Sequence, residues 1–144
     1  MKNGRIIEIL LIEDDAADSR LILETLKSFE TKVNMHQVQN GVDAIYFLNQ
    51  QGKYKEAPKP DIIILDIKLP NKDGFELLKE IKQNEKFKKI PVVVLTSSDS
   101  IEDINKSYLL HANCYITKPI GLDEFIKVMR KIEDFWLNTV QLPE

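Results

Sequence analysis

Asp61-Ile62-Ile63-Ile64-Leu65-Asp66 sets four consecutive aliphatic side chains between two carboxylates. An uninterrupted apolar run of this length has no polar face to turn toward water, so it reads as a strand buried on both sides. Pro91-Val92-Val93-Val94-Leu95-Thr96 repeats the pattern, and Ile6 to Ile12 is a third such run, broken by Glu8. Strands covered on both faces belong to parallel sheets, whose crossovers supply helices above and below.

The segments between these runs carry the helices. Over residues 17–28, Ile22, Leu23 and Leu26 fall at helical spacing, with Phe29 just beyond. Val33 to Val38 is a weaker, partly alternating strand. Asn40-Gly41 introduces a helix carrying Val42, Ile45, Tyr46 and Leu48, and the polar stretch 49–60 reads as a loop. Residues 74–84 form a helix with Phe75, Leu77, Leu78 and Ile81 on or near its inner side. Ser100 is the expected N-cap of a helix through Leu110, with Asp103 as its acidic capping partner. Residues 114–117 form a short strand that Cys114 opens as a small core residue, and 122–137 form a final helix.

Five strands alternating with five helices predict an α/β fold with a doubly wound, five-stranded parallel sheet. Right-handed crossovers favour the flavodoxin-like strand order 2-1-3-4-5. Sites in such sheets lie beyond the carboxyl ends of the strands. There the sequence places Glu13-Asp14-Asp15, Asp66, Thr96-Ser97-Ser98 and Thr117-Lys118-Pro119. Each alone has an ordinary explanation as a helix cap or solvated turn. Together they predict a pocket of carboxylates, a hydroxyl and one ammonium. Crowded carboxylates repel unless a cation neutralises them, and hard oxygen ligands suit magnesium. In that setting Asp66 becomes a nucleophile for phosphorus, since phosphoryl transfer needs little beyond positioning and charge neutralisation.

Bulk properties narrow the classes. The 144 residues suit one domain, and 43% hydrophobic with 30% charged residues is a globular composition. A net charge of −3 argues against a nucleic-acid surface. One cysteine, Cys114, permits no internal disulfide, and no apolar run approaches a bilayer span. The start of the chain is too short in apolar residues and too acidic for a secretory signal, so a cytoplasmic protein without membrane or nucleic-acid partners is expected. His36 and His111 lie apart from any ligand-spaced Cys or Asp pair and read as structural.

Glu13-Asp14-Asp15, Leu65-Asp66-Ile67-Lys68-Leu69-Pro70, Asp73-Gly74, Leu95-Thr96-Ser97 and Tyr115-Ile116-Thr117-Lys118-Pro119 occur in order. At these residues the chain resembles the receiver domains of bacterial two-component response regulators, from Ile6 to about Leu137. The resemblance implies that Asp66 is the phosphoacceptor, assisted by Thr96 and Lys118. It implies a Mg2+ site of Glu13, Asp14, Asp66 and the Lys68 carbonyl, with Asp15 only starting a helix. Thr96 and Tyr115 would be the switch pair, and Pro119 suggests a peptide that is often cis. Such a domain assists only its own phosphorylation and dephosphorylation and is not otherwise an enzyme.

The insertion at 49–60, Asp73-Gly74-Phe75 and Phe135-Trp136 resemble the small regulators paired with phytochrome-type histidine kinases. A single receiver domain over 1–144, with no output domain, is expected, since only seven residues follow Leu137. The alternative is an intermediate carrier or sink of phosphate in a multistep phosphorelay. Phe125, Met129, Ile132 and Trp136 share one face of the last helix, and Val128 and Phe135 widen it. That surplus suggests a homodimer through this helix and its neighbour at 101–110.

Three departures stand out. Lys68, two residues past Asp66, could shield a phosphoryl group from water, Ser97 is slightly bulkier than usual, and Gly121 is a weak N-cap for the last helix. A haloacid dehalogenase-type phosphotransferase would need an acid at position 68. A nucleotide or flavin binder would need a Gly-rich loop where Glu13-Asp14-Asp15 stands. A degenerate scaffold would have lost the acids, Thr96 or Lys118.

Overall fold

The computed structural model describes residues 5–70 and 72–144; residues 1–4, part of the amino-terminal stretch weighed above, and Asn71 lie outside the described residues. The strands are β1 (Ile7–Ile12), β2 (Val33–Val38), β3 (Ile62–Leu65), β4 (Val92–Thr96) and β5 (Cys114–Thr117). They alternate with α1 (Ala16–Ser28), α2 (Gly41–Leu48), α3 (Gly74–Gln83), α4 (Ile101–Leu109) and α5 (Leu122–Ile132). All neighbouring strands pair in parallel, in the order β2-β1-β3-β4-β5. The expected doubly wound sheet is present.

The aliphatic runs explain why the sheet sits at the centre. In β3 and β4 every residue is buried, and successive side chains feed opposite cores. Leu10, Ile12, Ile63, Leu65, Val92 and Val94 pack beneath α2 and α3. Ile9, Leu11, Ile62, Ile64, Val93 and Leu95 pack beneath α1 and α5. Fully burying one such side chain contributes about 1.5–3 kcal/mol, so the two layers dominate stability.

Several local expectations need correction. In α2, Val42 and Tyr46 face solvent, while Ala44, Phe47 and Leu48 enter the core. The loop at 49–60 contains a short 3-10 turn, Gly52–Tyr54. Strand β5 is at the sheet edge and is half-buried throughout, so Cys114 packs at the margin of the core, not inside it.

The final helix departs most. Beyond Ile132 the chain continues as a π-helix, Glu133–Thr139. One extra residue per turn rotates the following side chains. Leu137, five residues after Ile132, takes the buried position expected for Trp136, which is half-buried. The buried Glu133 explains part of the rearrangement. Its carboxylate accepts from the Thr31 hydroxyl at 2.8 Å and from the Thr31 backbone N–H at 3.3 Å, tying the wide turn to the α1–β2 loop.

Candidate functional site

The parallel ladder continues one rung past several strands, and those rungs carry the chemistry. The Glu13 N–H donates to the Val38 carbonyl at 3.0 Å, the Asp66 N–H to Ile12 at 3.0 Å, and the Lys118 N–H to Thr96 at 2.7 Å. Residues separated by up to 105 positions are thereby set along one sheet edge. Of the expected strand-end residues, Glu13, Asp66, Thr96 and Lys118 converge.

At the centre lies the Asp66 carboxylate, 7% exposed. Its Oδ1 accepts from the buried Thr96 hydroxyl at 2.8 Å and from the Lys68 backbone N–H at 2.9 Å. Its Oδ2 faces the Lys118 ammonium at 3.0 Å. The same ammonium donates to Glu13 Oε1 at 2.6 Å and Asp18 Oδ2 at 2.7 Å. One cation therefore serves three carboxylates. Burial works against the Lys118 charge, but the hydrogen bonds to Asp18 and Glu13 and the field of Asp66 outweigh it and raise the lysine pKa. Burial pushes the Glu13 carboxyl up to about 7, Asp66 adds to the rise, and Lys118 offsets only part of it.

Asp18 was not singled out in the sequence. It occupies the first turn of α1, where an acid is commonplace because it complements the helix dipole. The usable signal was that α1 begins at the switch point, so its first turn overhangs the pocket. Ser19 and Gln37 were missed as well. Ser19 donates to the Asp15 carbonyl at 2.9 Å, and the Gln37 amide donates to Ser19 Oγ at 2.8 Å and to the Glu13 carbonyl at 3.2 Å. They brace the acidic loop from below. Asp15 caps α1 by accepting from the Asp18 N–H at 2.9 Å, as expected of a helix-start residue.

Tyr115 donates its hydroxyl to the Ser98 carbonyl at 2.7 Å, across the loop that follows β4. Burial raises its phenol pKa, against the lowering effect of that hydrogen bond. Ser100 caps α4 through the Asp103 N–H at 3.1 Å, but the Asp103 side chain serves a further purpose. Its Oδ2 accepts from the Ser98 hydroxyl at 2.5 Å and pairs with the Lys68 ammonium at 3.1 Å. Those two contacts, the Ser98 hydroxyl foremost, lower the Asp103 pKa. Gly121 starts α5 without a side-chain cap, as expected. The cis peptide suggested by Pro119 is absent: among the described residues no peptide bond is cis. Backbone and ammonium contacts already fix Lys118, and trans is the ordinary preference even before proline.

The donor chemistry tests the metal expectation. Among the described residues, no three His, Cys, Asp or Glu side chains gather as a ready-made metal site. Glu13 and Asp66 are nevertheless joined through one shared ammonium, Asp14 follows Glu13 in the chain and is exposed, and Glu13 is incompletely compensated. This all-oxygen, electron-rich set suits a hard cation that keeps part of its water shell.

Among the described residues no helix is long and apolar enough to cross a membrane. Comparison with known proteins places the site in context. The response regulator receiver domain model matches residues 9–130. Response regulator Rcp1 of Synechocystis sp. is 50% identical over 135 residues, 94% of this chain and 92% of that protein. The Mn(2+)-bound crystal structure of Rcp1 superposes with a TM-score of 0.91 at 49% identity, covering 96% of this chain and 99% of that one. The phosphorylated cyanobacterial phytochrome response regulator RcpA superposes with a TM-score of 0.93 at 45% identity, covering 97% and 100%. The sheet order, the strand-end residues and these likenesses together show that the chain belongs to the response regulator receiver domain family, close to the phytochrome-associated regulators.

Proposed function

We propose that Asp66 accepts a phosphoryl group from a phytochrome-type histidine kinase and that the chain acts as a single receiver domain in the cytoplasm. One observation carries the reading. The Asp66 carboxylate is buried, yet its two oxygens meet a hydroxyl at 2.8 Å and an ammonium at 3.0 Å. Asp66 attacks phosphorus through a carboxylate oxygen while the bond to the donor nitrogen breaks, and the histidine keeps that electron pair. Lys118 and Thr96 then meet the phosphoryl oxygens, one as a charge and one as a hydrogen-bond donor.

Glu13, Asp14, Asp66 and the Lys68 carbonyl would hold Mg2+. When bound, that ion supplies the charge neutralisation a phosphoryl group needs among carboxylates. Glu13 and Asp18 share the Lys118 ammonium with Asp66, so a second cation that took over Glu13 would leave more of the lysine's hydrogen-bonding capacity for phosphate. The likeness to a Mn(2+)-bound and to a phosphorylated regulator supports this assignment.

Output would pass through Thr96 and Tyr115 to a protein-binding surface. Ile101 and Leu109 on α4, and Leu122 and Ile126 on α5, are exposed and support self-association of two copies. The alternative role, relaying or draining phosphate, uses the same site. Incubation with a small phosphodonor tests the reading. Uptake approaching one group per chain with Mg2+, strongly reduced by chelation and by Lys118→Met, is expected. Uptake indifferent to both changes would overturn it.

A further inference from the structure

The pocket's mouth holds a second charged cluster that the phosphoacceptor reading does not use. Lys68 follows Asp66 by two residues, and its backbone N–H already grips Asp66 Oδ1 at 2.9 Å. Its side chain does not turn to the acceptor. The ammonium lies 3.1 Å from Asp103 Oδ2, in the first turn of α4. Lys68 is 57% exposed at the side chain, whereas Asp103 is 18% exposed and is held by the Ser98 hydroxyl. The acid is the fixed partner and the lysine the movable one.

We propose that Asp103 is a positioning residue that sets how long a phosphoryl group survives on Asp66, by competing with it for the Lys68 ammonium. This rests on the phosphoacceptor reading given above. Loss of the group is hydrolysis. A water oxygen bonds to phosphorus, the bond from phosphorus to the Asp66 oxygen breaks, and its electron pair returns to the carboxylate. Inorganic phosphate leaves with the water's remaining hydrogen, and one proton is released to solvent or to the phosphate.

Water must approach opposite the departing Asp66 oxygen. A Lys68 ammonium drawn onto the phosphoryl oxygens places its stem over the pocket mouth and hinders that approach. A lysine kept on Asp103 leaves the approach open. The two anions are unequal, because a phosphoryl group offers more negative charge and three acceptor oxygens. Asp103, however, is already in place, held by Ser98 and supported by the amino-terminal end of α4. The result is a partition of Lys68 between two sites, with α4 gripped in one state and released in the other. The exchange links the phosphorylation state of Asp66 to the helix bearing Ile101 and Leu109.

Asp103→Asn is a suitable probe. It keeps the size of the side chain and an oxygen for Ser98, and the α4 cap uses the Asp103 backbone N–H, which is unchanged. The chain is phosphorylated with a small phosphodonor and Mg2+, the donor is removed, and decay of the phosphorylated form is followed. Asp103→Asn should slow decay about two- to fivefold, the range that an exposed ion pair allows. Asp103→Glu should restore decay toward the starting rate, and in a Lys68→Met background Asp103→Asn should have no effect. An unchanged rate in Asp103→Asn, or an equal change with and without Lys68, overturns the competition while leaving Asp66 as the acceptor. Absence of any label on the unsubstituted chain overturns both readings.

Discussion

Gly74→Ala adds one methyl group where the first turn of α3 meets the loop behind Asp66. An ideal Cβ there would lie 2.5 Å from both the Cα and the carbonyl oxygen of Ile67, and 2.7 Å from its carbonyl carbon. Ordinary contact begins near 3.4 Å, and all three atoms are backbone, so no side chain can swing aside. The helix start and the 66–68 loop must separate by roughly 1 Å, and overpacking of this kind costs about 1–3 kcal/mol. Alanine's better helix propensity returns less than about 1 kcal/mol. The net loss is about 1–2 kcal/mol, read as a lower urea midpoint with unchanged slope. Because Asp66 sits one residue before Ile67, phosphate uptake should also slow, by up to ~100-fold for a displacement near 1 Å. Gly121→Ala is the control, since nothing lies within 4 Å of its added Cβ. A Gly74→Ala chain as stable as the unsubstituted one, and labelled as fast, would refute this packing argument.

Other consequences follow from single features. Gly121→Asp supplies the missing cap at the start of α5 and should stabilise the fold by a few tenths of a kcal/mol in urea titrations. Lys118→Met leaves Glu13, Asp18 and Asp66 without their shared cation, and should cost about 3 kcal/mol in the presence of a chelator. A loss below about 1 kcal/mol would contradict the shared-cation geometry. Burial raises the Cys114 thiol pKa, so a thiol reagent near neutral pH should modify the folded chain at least ~10-fold more slowly than the urea-unfolded chain.

The fold was legible because β3 and β4 are so plainly two-sided. Ile62–Leu65 and Val92–Thr96 leave no polar face, and their order forces the switch point between β1 and β3. Residues at the ends of β1, β3, β4 and β5 then had to meet, and Glu13, Asp66, Thr96 and Lys118 do. What escaped were contacts that depend on rotation, not on spacing. Asp18 looks like any first-turn acid until α1 is docked over the pocket. Leu137 replaces Trp136 in the core because a buried Glu133 and a widened turn shift the register, and apolar periodicity assumes 3.6 residues per turn. Asp103 has the spacing of a capping partner, and only the packed loops show Lys68 and Ser98 claiming its carboxylate.

The most direct measurement is the position of the phosphoryl group. After incubation with a small phosphodonor and Mg2+, fragment masses should place one acid-labile phosphoryl group on Asp66, and Asp66→Asn should carry none. A group mapped to Asp14, Asp18 or another acid, or full labelling of Asp66→Asn, would contradict the account at its root.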